Sequence, residues 1–292
     1  MKEFQEYIQQ LVAAGGPEPQ QYAELDGWFQ RINAQRAAGV LSADRVKALW
    51  PAFGEAFSLD TVQGFAALKP HGYPGDFEIM ERLYSRWLSP LPNLQNWDRF
   101  IHWHPATEAV RNRKDYFKQV MAELDAAGQP RRVLNVGSGP CRDIHEYLQE
   151  HPDTRLRFEC LDFDEQAVAY AQRLLQGAEV VFHRENAFTF KTAQRYDLVW
   201  SAGLFDYLDE RRFVFLLKAL AKLLRPGGEL VIGNFSEANP SRAYMEFGEW
   251  MLNHRSAAQL QALAKQAGFP DAAARIEQEP LGVNLFLRVR PA

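Results

Sequence analysis

The chain has 292 residues and is 47% hydrophobic, 24% charged and 13% aromatic, the composition of a folded enzyme of one large or two modest domains. A formal net charge of -4, with no basic stripe, argues against nucleic acid as a partner. Two cysteines, Cys141 and Cys160, exclude a disulfide framework and a cysteine-rich metal site, and they fit a reducing compartment.

The N-terminus (Met1-Lys2-Glu3-Phe4-Gln5-Glu6) mixes charged and polar residues without an apolar core, which predicts no signal peptide and a cytoplasmic protein. From residue 1 to 128 the periodicity is helical. Met80, Leu83, Tyr84, Trp87 and Leu88 predict a helix over Phe77 to Leu88, with Asp76 as its N-cap after the Pro74-Gly75 turn. A second helix is predicted over Thr107 to Ala127, with Val110, Phe117, Val120, Met121 and Leu124 on one face and Gly128 and Pro130 as its stop. Its basic cluster, Arg111-Asn112-Arg113-Lys114, reads as a solvated face. Residues 1–128 are therefore expected to form a helical cap or substrate-binding segment, and 129–292 a separate domain.

At Arg131 the pattern changes. Strand-like runs at Val133 to Val136, Arg157 to Leu161, Val180 to Phe182, Asp197 to Trp200 and Glu229 to Ile232 alternate with helical segments. This is the signature of βαβ units and a parallel sheet covered on both faces. The most apolar run, Phe213 to Leu224, is too short to span a bilayer and carries Lys218 and Lys222, so it reads as a buried amphipathic helix and no membrane is expected as a partner. After a helix over Ala257 to Ala267, Ala274 to Gln278 and Val283 to Val289 form two strand-like runs around Pro280-Leu281-Gly282. They predict a C-terminal antiparallel hairpin.

Four segments carry the chemistry. Gly137-Ser138-Gly139 ends the first strand, where glycines allow a tight turn and close approach of a ligand. Asp162 ends the second strand about two dozen residues later, placed to accept the hydroxyl protons of a ribose. Helix capping is the other reading of Asp162 and Asp164. Glu185-Asn186-Ala187-Phe188 follows the third strand and is suited to an adenine. Ser201-Ala202-Gly203-Leu204-Phe205-Asp206-Tyr207 follows the fourth, where the reactive end of the ligand would lie. A dinucleotide oxidoreductase would want a small residue three beyond Gly139, and the chain has Arg142 there. No metal-ligand spacing appears.

In this order, over Arg131 to Pro291, the segments resemble class I S-adenosylmethionine-dependent methyltransferases. The resemblance implies a seven-stranded Rossmann-like methyltransferase sheet, mostly parallel with a C-terminal antiparallel hairpin, behind an N-terminal all-helical segment. It also implies S-adenosyl-L-methionine as cofactor, with Gly137, Ser138 and Gly139 at the methionine portion, Asp162 and Phe163 at the ribose, Asn186 and Ala187 near adenine, and Ser201 and Ala202 at the reactive end. The chain departs from the family pattern at Cys141, where a third glycine is usual, and at Asn135, where an aspartate is common. Nucleobase amine methyltransferases carry an Asn/Asp-Pro-Pro-aromatic motif after strand four, and this chain has Ser201-Ala202-Gly203-Leu204 instead. A small-molecule acceptor is expected.

His71 to Tyr84, Arg111-Asn112-Arg113, and Gly233-Asn234-Phe235 with Trp250 to Arg255 resemble a bacterial group that includes enzymes forming methyl esters of 3-hydroxy fatty acids. That likeness implies an acyl-type carboxylate or hydroxyl acceptor and places Arg113 on the cofactor's carboxylate. His71, Tyr73, Tyr207 and His254 are the candidates to orient the acceptor or take its proton. Transfer to nitrogen or carbon of a small molecule, and a catalytically silent cofactor-binding module, are the alternatives. The aromatic residues of the insertion after strand five (Tyr244, Met245, Phe247, Trp250, Met251) either wall the acceptor or pack as an ordinary helix.

Overall fold

A computed structural model describes residues 1–291. In chain order its elements are α1 (Lys2–Ala13), α2 (Tyr22–Ala37), α3 (Ala43–Lys47), α4 (Val62–Leu68), α5 (Phe77–Tyr84), α6 (Gln95–Trp103) and α7 (Pro105–Asp125). They continue with β1 (Arg131–Val136), α8 (Arg142–Glu150), β2 (Leu156–Asp162), α9 (Glu165–Leu174), β3 (Val180–Arg184), β4 (Tyr196–Ala202) and α10 (Glu210–Ala221). The last are β5 (Leu224–Phe235), α11 (Arg242–Phe247), α12 (Ala257–Gln266), β6 (Ala274–Gln278) and β7 (Asn284–Val289).

The strands form one seven-stranded sheet in the order β3-β2-β1-β4-β5-β7-β6. The first five are parallel, and β7 pairs antiparallel with both β5 and β6, so the expected fold class holds. The central strands are buried nearly end to end (Val133 to Val136, Tyr196 to Ser201), as in parallel sheets covered on both faces. One face packs Leu134, Val136, Val199, Phe213, Leu216, Leu217, Leu260 and Leu287 into a core. The other packs Val133, Phe158, Trp200 and Phe286 against Phe117 and Ile144. Phe117 of α7 lies flat on Trp200 with ring centroids 4.3 Å apart. Fixing Phe117 on β4 also fixes Arg113, one helical turn earlier on the same side of α7.

The chain divides into two compact units, and not at residue 128. The first comprises Met1–Glu108 together with Pro240–Met251; the second comprises Ala109–Asn239 and the chain from Leu252 onward. The reason is apolar burial. Most of α7 packs on the sheet, whereas the insertion after β5 carries Tyr244 and Phe247 into the aromatic core of the helical unit. There Phe247 touches Phe4, Phe29, Phe53 and Phe57, with ring centroids 4.8 to 6.1 Å apart. Tyr244 donates a hydrogen bond to Gln63 Oε1 at 2.8 Å and stacks on His104 at 4.3 Å. These two aromatic residues are therefore core, as the second of the two sequence readings held.

In the helical unit Asp76 caps α5, accepting from the backbone N–H of Glu78 and Ile79 at 2.9 Å. The helix stops at Tyr84 rather than Leu88, because Arg86 takes a left-handed conformation (φ 52°) and Trp87 N–H turns back to Arg82 O. Among the described residues no helix is long and apolar enough to cross a membrane.

Candidate cofactor and acceptor site

In the sheet unit the functional segments meet where open α/β sheets bind ligands, at the carboxyl ends of the parallel strands. The turn after β1 is built from left-handed residues: Gly137 (φ 65°), Gly139 (φ 54°) and Cys141 (φ 55°). Beside Gly139 there is open space, for a Cβ there would meet nothing within 4 Å. Cys141, standing where a third glycine is usual, still adopts the glycine conformation, at a cost of roughly 1–2 kcal/mol. Its side chain is buried, as is Cys160, so neither thiol is exposed as a nucleophile.

Asp162 ties this turn to β2. Its Oδ2 accepts from Gly139 N–H at 2.9 Å and its Oδ1 from Asp164 N–H at 3.0 Å, while Leu161 O accepts from Gly137 and Ser138 N–H. Phe163 N–H is a third backbone donor to this carboxylate. Burial pushes the Asp162 carboxyl up, against the lowering pull of these backbone N–H groups. Asp164 is the cap of α9, accepting from Gln166 N–H at 2.8 Å, so the capping reading holds for Asp164. The next side chain after Asp162, Phe163, is 61% exposed, an apolar ring at the rim of a buried carboxylate.

The other expected cofactor residues also have structural partners. Asn186 uses its Oδ1 to accept from Phe188 N–H at 2.9 Å, an Asx turn, and is exposed. Ala187 packs against the core. Ser201 is buried and donates its hydroxyl to Val136 O at 2.9 Å, tying β4 to β1. Ala202 sits opposite Gly233 in the β4–β5 register, where a Cβ on Gly233 would stand 2.8 Å from that of Ala202.

The basic cluster of α7 is not a solvated face. Arg111 and Arg113 are 6% and 5% exposed, and Asn112 donates to Glu279 Oε2 at 2.8 Å. Arg113 reaches the turn after β4: a Cβ on Gly203 (φ 108°) would lie 3.4 Å from its Nη1, so this position favours glycine twice over. Its charge also bears on two buried carboxylates that sequence reasoning missed, Asp143 at the head of α8 and Asp206 after β4. Burial pushes each up to about 6, opposed by one backbone N–H (Ile144 or Phe235) and then by Arg113. An aspartate in the first turn of α8 was a visible signal for Asp143, though an ordinary one. Asn135, in β1, has a buried Nδ2 without a hydrogen-bond partner.

Of the acceptor candidates, Tyr207 and His254 lie in this unit. Half-buried Tyr207 sits in the turn Phe205–Tyr207. His254 Nε2 lies 3.1 Å from Asn239 Nδ2, and its Nδ1 3.3 Å from Leu252 O. Both ring nitrogens of His254 are thus engaged. His71 and Tyr73 lie in the helical unit. His71 meets Glu78 Oε2 at 3.2 Å and packs on Phe65 and Phe77. Among the described residues no cluster of three or more His, Cys, Asp or Glu is arranged to hold a metal.

A doubly wound sheet with a glycine turn after β1 and a buried carboxylate ending β2 defines a nucleoside-cofactor-binding α/β protein. Residues 133–228 match the family model described as "Methyltransferase domain". Over 288 residues the chain is 24% identical to the uncharacterized protein YnbC of Escherichia coli (strain K12), a match covering 91% of this chain and 45% of YnbC. The chain thus spans less than half the length of that relative. Among solved structures, a possible exported protein from Bordetella parapertussis aligns with a TM-score of 0.61 at 22% identity, covering 74% of this chain and 80% of that one. The CMeT domain of citrinin polyketide synthase aligns with a TM-score of 0.51 at 12% identity, covering 72% and 64%. At such identities these likenesses show the fold. The match to the methyltransferase domain covers about a third of the chain, and the residues around Gly139, Asp162 and Phe163 suit S-adenosylmethionine as cofactor: open backbone, hydroxyl acceptors and an exposed ring.

Proposed function

We propose that the protein methylates a small molecule, at an oxygen of an acyl-type carboxylate or hydroxyl. The observation that carries the reading is Asp162, a buried carboxylate that ends β2 and braces the glycine turn. Bound S-adenosylmethionine supplies a methyl group on a sulfonium, an electrophile that needs alignment more than activation. Asp162 holds the ribose, Phe163 covers the adenosine, and Arg113 pairs with the methionine carboxylate. Gly139 leaves room for the chain between them. Tyr207 and His254 orient the acceptor.

With both its ring nitrogens engaged, His254 suits an acceptor that needs no proton taken from it. A carboxylate presents its own lone pair and needs no base. The likeness to the bacterial group that includes 3-hydroxy fatty acid methyl ester-forming enzymes points the same way. The class is tested by calorimetric titration with S-adenosylhomocysteine, with NADH as control. Micromolar binding of the former alone is the expected result, and preference for NADH would overturn the reading. A panel of acyl carboxylates, with NMR of a deuterium-labelled methyl group, then separates transfer to oxygen from transfer to nitrogen or carbon.

A further inference from the structure

At the ends of β4 and β5 the turn Phe205–Leu208 is held by a short segment that follows the insertion, residues 252–256. Three backbone carbonyls of that turn receive donors from it. Phe205 O accepts from Arg255 Nη1 at 3.1 Å. Asp206 O accepts from Asn253 N at 2.7 Å and from Asn253 Nδ2 at 3.0 Å. Leu208 O accepts from Asn253 Nδ2 at 3.2 Å and from Arg255 Nη2. The segment is in turn fixed to β5. Arg255 N–H donates to Phe235 O at 3.0 Å, Arg255 Nη1 to Asn234 Oδ1 at 2.7 Å, and Asn234 Nδ2 to Asn253 O at 3.0 Å. The Asp206 carboxylate closes the circuit by accepting from Phe235 N–H at 2.6 Å.

Arg255 is 5% exposed, and its guanidinium lies over the Phe213 ring at 4.9 Å. Burying a guanidinium is expensive in stability, and a turn can be satisfied more simply. What a planar fork adds is direction: one rigid group reaches two carbonyls of the turn and an amide of β5 at once, which a lysine cannot do. Tyr207 lies inside the clamped turn, and His254 lies between the two clamping residues.

We propose that Arg255, seconded by Asn253, is a positioning residue that fixes the turn bearing Tyr207 at the reacting end of the site. It touches neither cofactor nor acceptor in this role. The proposal rests on the methyltransferase reading for what the turn does, but the clamp itself can be read out without an acceptor. Misplacement of reacting groups by about 1 Å can cost on the order of a hundredfold in rate.

The test places 3-fluorotyrosine at position 207 and compares fluorine NMR of the full chain with that of Arg255→Gln, Arg255→Lys and the gentler Asn253→Ala. S-adenosylhomocysteine titration and thermal unfolding run in parallel. The expected result is one narrow resonance in the parent. It broadens or splits in Arg255→Gln and Asn253→Ala and is partly restored in Arg255→Lys, while S-adenosylhomocysteine affinity stays within twofold. An unchanged resonance in both Arg255→Gln and Asn253→Ala would overturn the proposal. So would loss of affinity in step with the melting temperature in every variant, the mark of a purely structural group. If the parent itself fails to bind S-adenosylhomocysteine, the methyltransferase reading falls, while the resonance still decides whether the clamp exists.

Discussion

Replacing Asp162 with alanine removes two things at once, and their sizes differ enough to be separated. The first is the brace on the glycine turn: Gly139 N–H loses its partner, an effect on stability of about 1–3 kcal/mol. The second, under the proposed role, is the pair of hydrogen bonds from the ribose hydroxyls. Bonds to a charged acceptor contribute about 1.5–3 kcal/mol each, so the pair amounts to about 3–6 kcal/mol. That corresponds to a loss in S-adenosylhomocysteine affinity of about 10²- to 10⁴-fold. Asp162→Asn keeps one carbonyl oxygen, enough for Gly139 N–H or one hydroxyl, and should fall between parent and alanine. Calorimetry on protein shown to be folded at the titration temperature measures the affinities, and a thermal scan measures the brace. If folded Asp162→Ala binds within threefold of the parent, the carboxylate does not hold the ribose and serves the turn alone.

Arg113→Met should weaken S-adenosylhomocysteine about 10- to 100-fold while leaving 5′-methylthioadenosine, which lacks the amino-acid end, nearly unchanged. Equal losses for both ligands would remove Arg113 from the methionine carboxylate. Cys141→Gly should be more stable than Cys141→Ala by about 1 kcal/mol in denaturant unfolding, since both lose the thiol and only alanine bears the left-handed strain at φ 55°. Asp206 bears on pH. Its carboxyl is held at about 6 by burial, above the ordinary value of 3.8 that it recovers on unfolding. The stability it contributes is therefore complete below pH 3.8 and lost as pH rises through 6, a swing of about 3 kcal/mol by pH 7.5. Asp206→Asn, which keeps an oxygen for Phe235 N–H, should flatten that part of the stability curve between pH 4 and 7.5. An unaltered pH profile would show that Asp206 does not titrate there.

The parts legible in the sequence share one property: their causes are local. Gly137, Gly139 and Asp162 announce themselves because a turn and a strand end need particular residue types wherever the rest of the chain goes. Asp76 before α5 is legible for the same reason, since a cap is satisfied within three residues. The division between units was not, because burial is decided by what each segment packs against in space and not by its own periodicity. On α7 alone, Arg111 to Lys114 reads as a charged surface. Only the sheet brings up Asp143 and Asp206, from distant parts of the chain, and makes Arg113 an interior group. Tyr244 and Phe247 could be assigned to helix packing from sequence, yet the core they join is built by Phe4, Phe29 and Phe53, more than two hundred residues away in some cases. Ser201 shows how a polar residue at the expected place also serves the fold, its hydroxyl donating to Val136 O between β4 and β1.

This contrast bears on where acceptor specificity resides. The cofactor end is written in local motifs, and local motifs recur across proteins with many acceptors. The acceptor end, as proposed, depends on long-range arrangements: Arg255 and Asn253 reaching back to a turn some fifty residues earlier, and Asn239 meeting His254 Nε2. Substitutions that change which molecule is methylated are therefore expected among residues 205–208 and 234–255 rather than in the glycine turn. Exchanging Tyr207 for Phe should alter the ranking of acceptors in a competition assay at equal S-adenosylhomocysteine affinity. Constant ranking across both segments would place specificity elsewhere in the chain.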